Sequence, residues 1–177
     1  EVSADRIEEY TVKSDAIVAV LSSLSVKRAG FEAGLAVGVF NELRGKGEDD
    51  WQWLPLQDEI QSLRLHKSAD EIRLIETAAE LNLAGFAEIR QMIRPGVREV
   101  EIALAIEFAL RKRGAEEKAF DIIVASGERG ALPHGVASDK LLTEGELVTI
   151  DFGCRYSGYH SDETVTFALG RVADELR

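Results

Sequence analysis

Cysteine is almost missing from these 177 residues, with Cys154 the single instance. No disulfide framework can form within such a chain, and a lone thiol fits the reducing cytoplasm that we expect for it. Long apolar runs are missing too. None approaches the ~20 residues that cross a bilayer, so no membrane partner is expected. Nothing at the start combines basic, apolar and small residues in the order of a secretory leader. Cations are few: 21 Lys and Arg stand against 32 Asp and Glu, a net charge of -11. That balance argues against nucleic acid as a partner, because phosphate binding draws on Lys and Arg. Surplus carboxylates serve solubility first, and no block of like charge is long enough to form a tail. Internal repeats and low-complexity tracts are also lacking. Ser126-Gly127-Glu128-Arg129-Gly130 lacks the Gly-Lys-Ser/Thr ending of a phosphate loop and opens no helix, which discounts nucleotide binding there.

What is present is an ordinary globular balance, 45% hydrophobic and 30% charged. The length suits one domain, or one domain with a fragment of another. Ala16 to Leu21 reads as the apolar face of a helix ending near Leu24, and Lys27 to Glu32 as a short strand. Ala33 to Arg44 is expected to be helical despite Gly34 and Gly38. A polar turn follows at Gly45 to Asp50, and Trp51 and Trp53 are expected to anchor a core or an interface. Ser68-Ala69-Asp70-Glu71 is a helix start in which Ser68 caps and Glu71 reaches back. Ile72, Ile75, Ala79, Leu83 and Phe86 then recur at helical spacing and predict the buried stripe. After Pro95-Gly96, a second helix is expected from about Arg98 to Arg113, with Val100, Ala103, Leu104 and Phe108 inward and Gly114 as its stop. Beyond Gly114 the period becomes strand-like. Phe120 to Ala125, Leu147 to Phe152 and Glu163 to Leu169 are the candidate strands.

The last two strands alternate informatively. Leu147, Thr149 and Asp151 share one face, and Asp162, Thr164 and Thr166 share a face of the other. A hairpin through Ser157-Gly158 lets the polar faces coincide. Either Asp151 faces Asp162 across a two-residue turn at Tyr156-Ser157, or a three-residue turn with a bulge at Gly158 shifts the pairing. Two carboxylates on one face repel, so a proton, a nearby cationic side chain or a metal ion must offset them. Hard divalent ions favour oxygen ligands. From spacing alone, the alternative that one Asp faces solvent while the other opens a turn before Gly153 stays open.

Val148-Thr149-Ile150-Asp151-Phe152-Gly153, followed by Gly158-Tyr159-His160-Ser161-Asp162-Glu163-Thr164, resembles the paired-aspartate signature of pita-bread metallopeptidases. Ile123 to Gly127 and Ala131-Leu132-Pro133-His134-Gly135 resemble that family's substrate-site strand and histidine loop. Leu63 to Ile72 resembles the join between its two domains, and Ala29-Gly30-Phe31-Glu32 a segment of its smaller N-terminal domain. The likeness runs from about Asp5 to Gly170. Its two-domain character is similar to Xaa-Pro dipeptidases (prolidases) and Xaa-Pro aminopeptidases. Creatinase-like relatives share the fold without metal-binding carboxylates, whereas both aspartates are kept here.

The resemblance implies an α/β (α+β) chain: residues 1–64 from a creatinase-like N-terminal domain, then residues 65–177 as the first half of a pita-bread catalytic domain. It implies Asp151 and Asp162 as ligands to two divalent metal ions, Mn or Co, with Zn as the alternative. It implies His134 as the catalytic and substrate-binding histidine that hydrogen-bonds an Xaa-Pro di- or oligopeptide. A homodimer is a further implication. His160 is read as an outer neighbour of the site at most, and Cys154 has no His partner that would make it a nucleophile. The family's remaining ligands, a His and two Glu, are not in this chain, and strands that would precede Ala4-Asp5-Arg6 are missing. The chain is therefore expected to hold part of an active site and not to act alone. A non-catalytic pita-bread module that binds peptide or protein is the alternative function.

Overall fold

The computed structural model describes residues 7–176, the last by its backbone alone. Ala4-Asp5-Arg6, where the resemblance begins, lie outside the described residues. The chain forms two compact units that part between His66 and Lys67.

In the first unit, helix α1 (Lys13–Ser23) precedes strand β1 (Arg28–Glu32), and helix α2 (Val37–Lys46) leads to strand β2 (Gln52–Leu56) and the short helix α3 (Glu59–Leu63). β1 and β2 pair in parallel, Arg28 with Gln52 through Glu32 with Leu56. Helix α2 starts at Val37, later than the expected Ala33, because the Ala33 N–H donates to the Leu56 carbonyl and extends the strand contact. Trp51 is buried, and Trp51, Trp53, Phe40 and Phe31 form a chain of ring contacts. Trp51 is thus a core anchor of this unit, and the half-buried Trp53 packs between it and Phe40.

The second unit opens with helix α4 (Ala69–Ile89), capped as the sequence predicts. The Glu71 N–H donates to Ser68 Oγ, and the Ser68 N–H donates to Glu71 Oε2. Helix α5 (Glu99–Lys112) follows, then β3 (Glu117–Lys118), β4 (Ile123–Ser126), β5 (Leu147–Phe152), β6 (Cys154–Tyr156), β7 (Tyr159–His160) and β8 (Glu163–Ala168). Strands β4, β5 and β8 make one antiparallel sheet with β5 central; β3, β6 and β7 make a second. The core face of β4 and β5 carries Val124, Val148, Ile150 and Phe152, packed with Ile102, Ile106 and Leu110 of α5 and Ala78 of α4. Phe86 of α4 stacks on Phe152 and meets Phe167 edge-on. Each fully buried aliphatic side chain of this size contributes about 1.5–3 kcal/mol relative to exposure.

The helices bury faces other than those expected from large apolar residues. Ile72, Leu83, Leu104 and Phe108 are exposed, whereas Ala78, Asn82, Gly85, Ile102 and Ile106 are buried. The reason lies at Gly85, where a Cβ would stand 2.9 Å from Leu110 Cδ2. Helix α4 brings the small Gly85 against Leu110 of α5, so its bulkier Ile72 and Leu83 lie on the exposed side, whereas α5 buries its own Ile102, Ile106 and Leu110.

The hairpin from β5 to β8 keeps one register throughout. Leu147 pairs with Ala168, Asp151 with Thr164, Phe152 with Glu163, Arg155 with His160 and Tyr156 with Tyr159. The two-residue turn is therefore Ser157-Gly158, not Tyr156-Ser157, and no bulge intervenes. Both turn residues have positive φ, 48° at Ser157 and 81° at Gly158, as a type I′ hairpin turn requires. Gly158 at the second position relieves the strain that a side chain there would carry, which centres the turn. The Tyr159 hydroxyl donates to Glu71 Oε1 at 2.7 Å and ties the hairpin tip to the start of α4.

Gly153 lies at the kink where the ladder passes from one sheet to the other, opposite Asp162. A Cβ there would stand 2.1 Å from the Ser161 carbonyl oxygen and 3.0 Å from Phe120 Cε1. Backbone cannot yield as a flexible side chain does. Gly153→Ala is accordingly expected to destabilise the protein by roughly 1–3 kcal/mol, read as a lower urea midpoint. An unchanged midpoint would show that the close approach at Gly153 is not a constraint.

Candidate active site

The sheet face opposite the core carries the polar residues. Thr149 and Asp151 of β5 stand beside Thr166 and Thr164 of β8, with the Thr149 and Thr166 hydroxyls 3.0 Å apart in a hydrogen bond. Asp162 follows the same alternation two residues before Thr164, so it sits diagonally from Asp151 on one face. The two aspartates are brought together as expected, one step further apart along the ladder than direct pairing would place them.

A cleft of about 410 Å³ opens here, lined by Phe120, Asp121, Ile123, His134, Val136, Asp151 and Asp162. His134 reaches it from the loop after β4. That loop is shaped by a short 3₁₀ turn (Gly127–Ala131) and returns so that Val136 bridges to Ile123. The three candidate residues named from the sequence, His134, Asp151 and Asp162, thus share one cavity. His160 does not join them: it faces a second hollow beside α4, with Ile75, Asn82 and Asp162. Cys154 is buried, its Sγ 3.4 Å from the Ala78 carbonyl oxygen, and burial pushes its thiol pKa up. It is inert structural filling rather than a nucleophile.

Asp151 Oδ1 is buried and has no hydrogen-bond partner. Burial pushes its carboxyl pKa above the ordinary value; the Thr164 hydroxyl opposes this, and the nearby Asp162 carboxylate reinforces it. An orphaned, desolvated carboxylate oxygen beside a second carboxylate is a donor set suited to a hard divalent cation. The residues present therefore fit a metal ion, and Asp151 and Asp162 are the ones that would hold it. Among the described residues, no three His, Cys, Asp or Glu converge as a complete cage.

Three lining residues, Phe120, Asp121 and Val136, carry no signal of the cleft in the sequence. Phe120 to Ala125 looked like one strand, but pairing starts at Ile123, and Phe120 and Asp121 bend into the cleft. Lys118 holds the Asp121 carboxyl below the usual range through an ion pair of 2.6 Å. Glu99 is hidden in the sequence as well. It is fully buried, and although burial alone would raise its pKa, hydrogen bonds from Ser138 and Ser126 outweigh that and hold it low. Its sequence position, at the start of a helix, resembles an ordinary charge favourable to the helix dipole, which gave no signal of burial.

Residues 73–177, more than half of the chain, match metallopeptidase family M24. The chain is 42% identical over 158 residues to an uncharacterized peptidase of Bacillus subtilis, YqhT, covering 89% of this chain and 44% of that protein. It is 41% identical over 145 residues to the Xaa-Pro dipeptidase of Pyrococcus horikoshii, covering 82% and 41%. In structure it is similar to an Xaa-Pro dipeptidase from Bacillus anthracis, with a TM-score of 0.88 and 40% identity, across 95% of this chain and 47% of that one. The chain thus spans less than half the length of these relatives. The matches bear out the resemblance to Xaa-Pro peptidases and the mixed helix-and-sheet architecture. No helix among the described residues is long and apolar enough to cross a membrane.

The raised Asp151 pKa predicts the pH dependence of the metal-free protein. Folded protein keeps the Asp151 proton where unfolded chain has released it, so this carboxyl's contribution to stability is complete below the ordinary Asp pKa. It is lost as pH rises through the raised value. Asp151→Asn is expected to be more stable than wild type at neutral pH in chelator, with the advantage vanishing towards acid, read from urea melts across pH. An advantage that grows towards acid would contradict the assignment.

Proposed function

The chain belongs to metallopeptidase family M24, and from that premise we propose that the whole protein is a metal-dependent peptidase. It hydrolyses the bond between an N-terminal residue and a following proline, as an Xaa-Pro dipeptidase or aminopeptidase. The observation that carries this reading is the partnerless Asp151 oxygen beside Asp162, in the same cleft as His134. Asp151 and Asp162 supply oxygen ligands to two divalent ions, Mn or Co, with Zn as the alternative. Ions in such a site make water nucleophilic at neutral pH and stabilise negative charge on an attacked carbonyl. The remaining ligands, a His and two Glu, come from outside this chain.

His134 would donate a hydrogen bond to the substrate carbonyl and to the oxyanion that develops from it. Phe120, Ile123 and Val136 supply apolar walls against which a pyrrolidine ring can pack, while Asp151 and Asp162 mark the polar end of the cleft. Residues 1–64 are read as part of a creatinase-like N-terminal domain, and residues 65–177 as the first half of the pita-bread domain. A cytoplasmic setting is supported by the single, buried cysteine, and a homodimer by the resemblance alone.

The test is hydrolysis of an Xaa-Pro dipeptide and an Xaa-Pro tripeptide by the whole protein, with manganese and with chelator. Cleavage is expected to need manganese and to fall by roughly a thousandfold or more in Asp151→Ala or Asp162→Ala. The preferred substrate separates dipeptidase from aminopeptidase. No cleavage by folded protein with any divalent metal would contradict the proposal and favour a module that only binds peptide.

A further inference from the structure

Glu99 is a buried carboxylate with five donors on its two oxygens. Oε1 accepts from the Ser126 N–H at 2.8 Å and from Ser126 Oγ at 2.9 Å. Oε2 accepts from Arg129 Nε at 3.1 Å, the Ser138 N–H at 3.2 Å and Ser138 Oγ at 2.7 Å. These partners are not scattered. Ser126 ends β4, Arg129 lies in the turn that follows, and Ser138 closes the loop that carries His134. Arg129 then uses a second nitrogen: Nη2 donates to the Val136 carbonyl at 2.7 Å. The Val136 N–H in turn donates to the His134 carbonyl at 2.9 Å. The returning leg is also held by backbone, because the N–H groups of Glu99 and Val100 donate to the carbonyls of Lys140 and Ser138.

We propose that Glu99 is a positioning residue for His134, its carboxylate clasping both legs of the 127–140 loop and setting the imidazole in the cleft through the Arg129 fork. This rests on the reading that His134 acts on the substrate. Full satisfaction of a buried charge is costly to arrange, and here each donor but one belongs to the two ends of a single loop. Arg129 suits the bridging role because its planar guanidinium offers donors in two fixed directions, which a lysine ammonium does not. Removing Arg129 leaves Glu99 with its four serine donors, so Arg129→Gln is the variant that breaks the link to Val136 while preserving the fold.

The experiment uses the whole protein with manganese, as wild type, Arg129→Gln, Arg129→Lys, His134→Ala and the double variant Arg129→Gln/His134→Ala. Arg129→Gln and Arg129→Lys are expected to lower kcat on an Xaa-Pro dipeptide roughly 10- to 100-fold with little change in melting temperature. In the His134→Ala background the same Arg129→Gln change is expected to cost less than about twofold, the non-additivity of residues that act as a unit. Amide hydrogen exchange at Gly135 and Val136 is expected to quicken in both single Arg129 variants while α5 keeps its protection. An equal loss in both backgrounds, full activity in Arg129→Lys, or unchanged exchange would overturn the proposal. If wild type cleaves no Xaa-Pro peptide, the peptidase reading fails by itself, and the exchange measurement alone decides whether the clasp holds the loop.

Discussion

A β-hairpin allows a slip of one residue only by turning every side chain to the opposite face. In the β5–β8 hairpin that choice is made at two places. Ser157 and Gly158 take the two left-handed positions of the turn, and Gly153 admits the Ser161 carbonyl where any side chain would collide. With the register held there, Val148, Ile150 and Phe152 enter the core, and Thr149, Asp151 and Asp162 are left on the open face. The packing of α5 on the sheet, the ring contacts of Phe86, and the meeting of two aspartates all follow from that one alignment.

The same unit holds two acidic groups whose buried oxygens have opposite environments. Glu99 is enclosed by donors from Ser126, Arg129 and Ser138, and its charged form is held firmly. Asp151 has one oxygen with no partner and a second carboxylate close by, so its charged form is disfavoured. Burial is common to both, and the supply of hydrogen-bond donors decides between them. A carboxylate satisfied from within the chain organises structure. One left unsatisfied among carboxylates is available to something from outside, and a hard cation is the partner whose chemistry fits.

The sequence was most informative where local rules decide the outcome. The capping box at Ser68 and Glu71, the strands at Leu147–Phe152 and Glu163–Ala168, and the shared face of the two aspartates were legible because period and capping chemistry are local. The hairpin register was not: the alternation suits a two-residue turn at Tyr156-Ser157 or a bulged three-residue turn, and the backbone instead turns at Ser157-Gly158, pairing Asp151 with Thr164. Large apolar residues are a poor guide to the buried face of α4, where Ala78 and Gly85 are enclosed and Leu83 is exposed. Glu99 was invisible for a different reason. Its donors lie 27 to 39 residues away along the chain, beyond the reach of any spacing argument.

We propose that Asp151 and Asp162 form one cation-binding face. Anomalous diffraction at the manganese edge, from crystals of the whole protein grown with manganese, tests it most directly. The expected result is an anomalous peak in contact with both carboxylates, including the Asp151 oxygen that otherwise lacks a partner. A peak elsewhere, with both carboxylates engaged by side chains of the protein instead, would contradict it.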